Sequence, residues 1–192
     1  ILQGDILLPN RYVPEGAKMG DALEVFLLRD SEDRLVATTR KPKVEVGEFA
    51  FLTVKDVTRR GAFLDWGLDK DLFLPFQEQL HKVKVGEAIL IFCYIDKTDR
   101  ICSTMRVKNH FYMPESFHEN DWVDGLVYAN NPEIGAFVLV EKRYNGLLPA
   151  EEMRGALMPG QRVHVRVERI KPDGKLDLSL NSRAYEQMDE DA

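Results

Sequence analysis

The sequence predicts an all-β protein built from small five-stranded barrels arranged in tandem. The first observation is a repeat: residues 60–75 read RGAFLDWGLDKDLFLP and residues 134–149 read IGAFVLVEKRYNGLLP, with Gly-Ala-Phe and a terminal Leu-Pro at the same spacing. The second observation is the ending of each repeat, where a glycine turn precedes a strand, a tight polar turn and a final strand. Recurrence of one unit at a regular spacing indicates a chain of structural repeats.

The turn residues of the repeats place three copies of this unit in the chain. A proline, a glycine and an arginine recur 66 positions later between the first and second copies. The proline and glycine recur again 74 positions later, and a lysine one residue further along takes the place of the arginine. These positions are Pro9, Gly20 and Arg34, then Pro75, Gly86 and Arg100, and then Pro149, Gly160 and Lys175.

Each complete copy contains five short stretches with the character of β-strands. Strand one precedes the Gly-Ala-Phe hairpin, strands two and three form that hairpin, a short helical or irregular segment follows, and strands four and five form a closing hairpin. The predicted ranges are 49–54 and 123–128 for strand one, 60–75 and 134–149 for the first hairpin, and 76–82 and 150–157 for the irregular segment. Five strands in about 65 to 75 residues suit the OB-fold, a small closed barrel.

The first copy is shorter than the other two. It begins at strand three and has no counterpart to residues 49–67, so the sequence predicts a barrel truncated at its N-terminus, whose sheet edges would remain open. The predicted organisation is a partial domain at 1–42, a complete domain at 43–110, a linker at 111–120, a complete domain at 121–181, and a tail or the start of another domain at 182–192.

Composition narrows the class of protein. The chain has 192 residues, of which 44% are hydrophobic, and a net charge of −6, which argues against a generic binder of nucleic acids. Most of the excess negative charge lies in 111–120 and 182–192, so any nucleic-acid site must depend on local patches. No apolar run approaches the ~18 residues of a membrane span. The two cysteines do not form a disulfide framework, and a cytoplasmic location is therefore predicted.

The repeats resemble S1 RNA-binding domains. The resemblance rests on Gly-Ala-Phe, on the Gly-Leu-Leu-Pro that ends the Gly-Ala-Phe hairpin of the third copy, and on the Asp-x-x-x-Arg closing hairpin. The tandem order, with GDILLP, EVFLLRDSEDRLVATTR and GLLPAEEM, resembles the conserved virulence factor B (YitL-like) family over essentially the whole chain. That resemblance implies three S1 domains, the first truncated here, followed by a C-terminal winged helix, of which 182–192 would be the start.

The resemblance also implies a set of RNA-binding residues. S1 domains stack bases of single-stranded RNA on aromatic side chains, while polar and basic groups hold the phosphates. Phe63 and Phe137 match the second aromatic of the S1 pattern, and Asp96 and Arg100 match its Asp and Arg. The corresponding pair is Asp30 and Arg34 in the first copy, and Lys171 and Lys175 in the third.

Two positions depart from the S1 pattern. Where another aromatic is expected before Gly-Ala-Phe, the sequence has Arg60 and Ile134, and where a histidine is expected, it has Pro75 and Pro149. Each missing stack forgoes about 1–3 kcal/mol, so RNA binding by each domain is predicted to be weak. Arg60 compensates in part, because a guanidinium stacks on bases. The alternative for Phe63 and Phe137 is a role in packing the barrel.

Two further surfaces are predicted from the second copy. One is a basic set that would make a phosphate track if its members converge: Arg59, Arg60, Lys82, Lys84, Arg100, Arg106 and Lys108. The other is a row of apolar residues predicted to point outward, Leu90, Phe92 and Tyr94, matched by Phe26 and Leu28 in the first copy. Such a row needs a cover, either by docking of the first two copies or by a homodimer.

The sequence therefore predicts a non-catalytic, cytoplasmic protein that binds single-stranded RNA and regulates gene expression after transcription, with regulation of virulence factors implied by the family. No catalytic motif, zinc-ligand spacing or cofactor motif occurs in the sequence. The alternative is a protein-interaction scaffold, in which the barrels have lost RNA binding. The missing aromatics favour the scaffold, whereas Arg60, Phe63 and the pair of Asp96 and Arg100 favour RNA.

Overall fold

Strands make up nearly all of the regular structure in the computed structural model, which describes residues 4–153 and 155–181. The described chain divides into two compact units between Arg106 and Val107. The predicted tail or winged-helix start at 182–192 lies outside the described residues. Among residues 4–153 and 155–181, no helix has the length and apolar character that a membrane span would need.

Twelve strands are numbered here in chain order. β1 and β2 form a leading hairpin, β3 to β7 close into a middle barrel, and β8 to β12 close into a C-terminal barrel. The strands are β1 Phe26–Arg29, β2 Leu35–Thr38, β3 Phe49–Val57, β4 Gly61–Asp65, β5 Leu72–Pro75, β6 Ala88–Ile95, β7 Ile101–Thr104, β8 Trp122–Asn131, β9 Gly135–Val140, β10 Tyr144–Pro149, β11 Arg162–Ile170 and β12 Leu176–Ser179. The prediction of an all-β chain with tandem five-stranded barrels is confirmed.

The middle barrel closes around one long bent strand. β3 pairs with β6 over its first half and with β4 over its second half, and the register shifts between Val54 and Asp56. Both hairpins, β4 with β5 and β6 with β7, are antiparallel. The parallel pairing of β5 with β7, where Phe73 faces Cys102, completes the ring. Closure leaves no free edge in this sheet.

The C-terminal barrel repeats this topology strand for strand. β8 pairs with β11 and with β9, and its register shifts between Val127 and Ala129. The parallel pairing of β10 with β12, at Gly146 and Leu176, closes the ring. Both first strands are longer than predicted, because each must bend across the barrel to reach two neighbours. Among their described residues, the predicted segments after strand three contain one 3₁₀ turn each, Phe76–Glu78 and Ala150–Glu152.

Alternating apolar residues of the strands fill the interior of each barrel. Members of the middle core include Leu52, Val54, Leu64, Leu74 and Ile91, and members of the C-terminal core include Val127, Val138, Leu148, Val165 and Leu178. All ten are at most 2% exposed. The two separate cores account for the division of the chain into two units.

The leading hairpin keeps the relations of a barrel without its first two strands. Leu7 forms a parallel bridge to Val36 of β2, the relation that β5 has to β7. Phe26 and Leu28 pack against the core of the middle barrel, and the ring of Phe26 meets that of Trp66 edge-on at 5.6 Å. The hairpin and the middle barrel thus share one compact unit. The separate domain boundaries at 42 and 110 remain predictions.

The predicted outward row on β6 needs a correction. Phe92 is buried, because it packs beside its cross-strand neighbour Phe49 with 4.8 Å between ring centroids. Leu90 and Tyr94 are half-buried, and burial raises the pKa of Tyr94 to about 12. Strand alternation alone could not show this, since the partner of Phe92 lies on another strand.

The predicted linker at 111–120 contacts the C-terminal barrel. The ring of Phe117 packs edge-on against Tyr144 at 4.8 Å, and the amide of Tyr112 donates to the carbonyl of Arg143. The amide of Asn120 donates to the carbonyl of Val167. This segment is therefore an ordered connector within the second unit.

The packed connector predicts a pattern of limited proteolysis. Chymotrypsin should cut after Phe117 more slowly than after Phe76, which is 59% exposed, because the Phe117 ring must first leave the barrel. Tyr144→Ala should speed the cut after Phe117 and leave the cut after Phe76 unchanged. Mass spectrometry of the early fragments measures both rates. Equal rates at the two sites in the unaltered protein would indicate a flexible tether.

Candidate nucleic-acid interface

Two phenylalanines lie side by side on the outer face of the middle barrel. Phe63 of β4 and Phe73 of β5 are direct cross-strand partners, with ring centroids 5.3 Å apart and planes tilted by 42°. Both side chains are half-exposed. The pair offers an aromatic surface on which an unstacked base can lie.

Gly61 makes room for this pair. Its φ is +159°, and a Cβ added there would lie 2.2 Å from the carbonyl oxygen of Leu74 and 2.8 Å from the ring of Phe73. Any side chain at this position would therefore collide with the backbone of β5 and push the Phe73 ring away. The glycine of the repeated Gly-Ala-Phe motif thus serves the position of the aromatic ring on the next strand.

Phe63 and Phe73 line a pocket of about 770 Å³ together with other residues predicted for RNA binding. Arg60, Asp96 and Arg100 line the same pocket, as does Arg59. The structure thus brings together four residues that the sequence analysis predicts for RNA binding: Arg60, Phe63, Asp96 and Arg100. Their role in binding RNA remains a prediction.

Arg59 and Arg60 stand on the turn between β3 and β4. Thr58 shapes this turn, since its hydroxyl donates to the carbonyl of Gly61 and accepts from the amide of Arg60. Both arginines are exposed, and neither forms an ion pair with any residue in 4–153 or 155–181. Two arginines that form no ion pair within the described residues therefore border the aromatic pair.

Asp96 organises the turn between β6 and β7. Its carboxylate accepts hydrogen bonds from the amides of Thr98 and Arg100, at 2.7 and 3.1 Å, and from the Thr98 hydroxyl. Burial raises the pKa of Asp96, but the hydrogen bonds outweigh burial and hold that pKa below its ordinary value.

The guanidinium of Arg100 has a different partner from the one predicted. The S1 pattern pairs Arg100 with Asp96, from which we expect Asp96 to orient the guanidinium, but the Arg100 Nε lies 3.4 Å from Oδ1 of Asp33, on the turn of the leading hairpin. Asp96 instead holds the Arg100 backbone. The expectation was wrong because Asp33 comes from another repeat, and the closing-hairpin motif carries no information about it.

Arg34 lies apart from this pocket. Its guanidinium contacts Oδ2 of Asp30 at 2.8 Å and Glu32 at 2.7 Å, so two carboxylates oppose its charge. It lines a second, smaller pocket of about 400 Å³ beside Asp30 and Ser31.

The C-terminal barrel carries a weaker version of the aromatic surface. The position across from Phe137 on β10 is Leu147, so this barrel lacks the pair of rings on β4 and β5 of the middle barrel. The ring of Phe137 lies 6.0 Å from that of Tyr128, whose hydroxyl donates to Oδ1 of Asn145.

The two predicted lysines of this barrel are ion-paired. Lys171 contacts Asp177 and Lys175 contacts Asp173, each at 2.9 Å. Their charges are therefore compensated locally, unlike those of Arg59 and Arg60.

The motif comparison missed Phe73. Its signal was present in the sequence: if Gly61 pairs with Pro75, as the hairpin ends suggest, counting inward places Phe63 opposite Phe73. In the C-terminal barrel the same count gives Leu147. The predicted phosphate track has seven basic residues. Three of them line the pocket, namely Arg59, Arg60 and Arg100.

The sulfur and acidic groups show no reactive arrangement among the described residues. Cys93 and Cys102 are free and buried, and burial raises the pKa of each thiol to about 12. In residues 4–153 and 155–181, no three of His, Cys, Asp and Glu are grouped so that they could hold a metal ion.

The sequence matches the S1 domain family over residues 2–40 and 46–106, about half of the chain. The uncharacterized protein YitL of Bacillus subtilis (strain 168) is 29% identical over 199 aligned residues, which cover 97% of this chain and 65% of YitL. The conserved virulence factor B of Staphylococcus aureus (strain USA300) is 26% identical, over 91% of this chain and 61% of that protein. These matches confirm the resemblance drawn from the sequence, and the chain spans slightly less than two thirds of these relatives.

One solved structure is similar along most of the chain. It is a multidomain protein with nucleic acid binding domains from Streptococcus pneumoniae TIGR4, with a TM-score of 0.51 and 23% identity. The match covers 96% of this chain and 68% of that protein. At this level of identity the likeness concerns the fold.

Proposed function

Because this chain belongs to the S1 domain family, we propose that it binds single-stranded RNA through the outer face of its middle barrel. One observation carries the proposal: the adjacent rings of Phe63 and Phe73 line the same pocket as Arg59 and Arg60, two arginines without an ion pair in the part of the chain that the structure describes. Aromatic rings that stack bases, beside cations that attract phosphates, are the two components of single-strand recognition.

Each component has a defined role in this proposal. Phe63 and Phe73 stack one base, and Arg59 and Arg60 neutralise the phosphates next to it. Arg100 attracts phosphate less strongly than Arg59 and Arg60, because the Asp33 carboxylate lies 3.4 Å from its guanidinium. Phe137 contributes weakly, since it faces Leu147 and not a second ring across its hairpin. Arg34, Lys171 and Lys175 contribute weakly, since carboxylates oppose their charges.

We extend the proposal to the role of the protein. RNA binding without catalysis suits a cytoplasmic regulator of gene expression that acts after transcription. The name of the Staphylococcus aureus relative, conserved virulence factor B, supports regulation of virulence factors as the setting. A homodimer through the half-buried Leu90 and Tyr94 is part of the same proposal.

The scaffold alternative has its own supporting observation. Arg34, Arg100, Lys171 and Lys175, which match the basic positions of the S1 pattern, all lie against carboxylates. A barrel whose cations are compensated in this way attracts phosphates less strongly. Failure to bind RNA would favour this alternative.

Binding of RNA homopolymers at two salt concentrations tests the proposal. Fluorescence anisotropy with labelled r(A)8 and r(U)8 should show binding that weakens from 50 to 200 mM salt, because phosphate contacts release counterions. Absence of binding at the lower salt concentration would overturn the proposal.

The two unpaired arginines predict a change in that salt dependence. Arg59→Ala and Arg60→Ala should each lower the slope of log affinity against log salt by about 0.7, the value of one neutralised phosphate on a single strand. Lys84→Ala is the matched control, since Lys84 is an exposed cation of the same barrel that does not line the pocket. Equal slopes for all three variants would place the phosphate contacts elsewhere.

A further inference from the structure

Three aromatic rings lie together on the C-terminal barrel. Phe137 of β9 and Phe111 each lie 6.0 Å from Tyr128 of β8, measured between ring centroids. All three side chains are half-buried. Two of the rings belong to strands of the barrel, whereas Phe111 comes from the connector that precedes β8, of which residues 111–117 are named here the strap.

Tyr128 takes the place of a lysine of the middle barrel. It corresponds to Lys55, since each of the two precedes the residue that pairs with the phenylalanine of Gly-Ala-Phe. Lys55 contacts the Asp71 carboxylate at 3.0 Å, and the Tyr128 hydroxyl donates to Oδ1 of Asn145 at 2.7 Å. The equivalent cross-strand contact therefore carries an aromatic ring in the C-terminal barrel, beside Phe137.

The strap also contacts the turn between β11 and β12. A Cβ added at Gly174 would lie 2.5 Å from Sδ of Met113 and 3.3 Å from Cδ of Pro114, so these two residues lie directly against the turn. Lys171 and Lys175, the basic positions that the S1 pattern gives to this barrel, begin and end the same turn. The strap therefore contacts both the aromatic and the basic part of the face that the S1 pattern assigns to RNA.

Two attachments of different kinds hold the strap. At its end, the Phe117 ring packs against the hydrophobic core and lies edge-on to Tyr144. Near its start, the Tyr112 amide donates to the carbonyl of Arg143 at 3.1 Å, and the Arg143 guanidinium lies 5.5 Å from the centroid of the Tyr112 ring, which is 41% exposed. Exposed contacts open more readily than core packing, so the start of the strap can leave the barrel while its end stays attached.

We propose that the strap closes the RNA face of the C-terminal barrel, with the Phe111 ring held against Tyr128 in the place of an unstacked base. This inference rests on the proposed function and goes beyond it, because it makes RNA binding by this barrel depend on release of the strap. The affinity of the barrel for RNA is then reduced by the fraction of molecules in which the strap is open.

Removal of the Phe111 ring tests this closure in the Phe63→Ala protein, where the stacking surface of the middle barrel is impaired. Phe63→Ala/Phe111→Ala should bind r(A)8 and r(U)8 about 2- to 10-fold more tightly than Phe63→Ala, because loss of an aromatic contact raises the open fraction of the strap. Addition of Phe137→Ala should abolish this gain. Ser116→Ala in the Phe63→Ala protein is the matched control, since Ser116 is an exposed strap residue. Fluorescence anisotropy measures the affinities, and thermal unfolding by circular dichroism confirms the folds.

Hydrogen exchange gives a second test that needs no substitution in the strap. In the Phe63→Ala protein saturated with r(U)8, the Tyr112 amide should exchange several times faster than without RNA, because its bond to the Arg143 carbonyl opens when the strap leaves. The Asn120 amide is the control: it donates to the Val167 carbonyl beyond the strap and should keep its rate. Unchanged or slower exchange at Tyr112 would overturn the inference.

The outcomes separate this inference from the proposed function. If Phe63→Ala weakens RNA binding and Phe111→Ala restores none of it, the proposed function stands and the strap is a structural connector only. Weaker binding after Phe111→Ala would make Phe111 part of the RNA surface, which also overturns the inference. If the unaltered protein and every variant fail to bind RNA, the proposed function is wrong and the closure inference falls with it.

Discussion

Phe63→Ala should weaken binding of r(A)8 by about 1–3 kcal/mol, roughly 5- to 150-fold, because it removes one of two adjacent rings available for base stacking. Phe73→Ala should have an effect of the same order, since the two rings lie 5.3 Å apart at one surface. Fluorescence anisotropy with labelled RNA measures both affinities. The Phe73 result is of particular interest, because the S1 pattern did not single out this residue.

Phe76→Ala is the matched control for both variants. Phe76 belongs to the same barrel and is 59% exposed, but it does not line the pocket. Its substitution should leave RNA affinity unchanged. The contradicting outcome is that Phe63→Ala and Phe73→Ala both fold and bind RNA as tightly as the unaltered protein. In that case the middle barrel is not the RNA surface, and the scaffold alternative is favoured.

Gly135→Ala should lower the free energy of unfolding of the C-terminal barrel by roughly 3–5 kcal/mol, by backbone strain and overpacking together. Gly135 has φ +134°, and an added Cβ would lie 2.0 Å from the carbonyl oxygen of Leu148 and 2.9 Å from the amide nitrogen of Ala150. Both contacts are with backbone, so no side chain can rotate to relieve them. The start of β9 would have to separate from the end of β10.

Hydrogen exchange measures this loss in one barrel at a time. Amides of β8 to β12 should lose protection in Gly135→Ala, while amides of β3 to β7 keep theirs, because the two barrels have separate cores. Gly160→Ala is the control: its φ is +91°, but an added Cβ meets no atom within 4 Å. Only the conformational cost of about 1–2 kcal/mol is expected there. Equal losses of protection in Gly135→Ala and Gly160→Ala would mean that the backbone moves to relieve the collision at position 135.

The strand order and the barrels were predictable because their signals are local. Alternating apolar residues, glycine turns and the repeated Gly-Ala-Phe hairpin define strands within each copy, and closure follows from five short strands in a small unit. Arg60, Phe63, Asp96 and Arg100 could be grouped in advance because the S1 pattern already places these positions on one face. The structure puts all four around one pocket.

The errors and omissions concern residue pairs that lie on two different strands. Phe73 lies beside Phe63 through the register of their hairpin, and Phe92 is buried because Phe49 pairs beside it. Both depend on which strands become neighbours, which the composition of a single strand does not reveal. Alternation within a strand therefore predicts which residues share a face, but not whether another strand covers that face.

The sequence by itself determined the fold class and the number of repeats, and it predicted Phe63 as a stacking residue, because each depends on spacing within one copy. The tertiary structure alone decided that Arg100 faces Asp33, that Arg59 and Arg60 form no ion pair among the described residues, and that the leading hairpin borders the pocket. These features join residues from different repeats or depend on the directions of long side chains. Coulomb attraction acts across space regardless of separation along the chain, so only folding selects the partners.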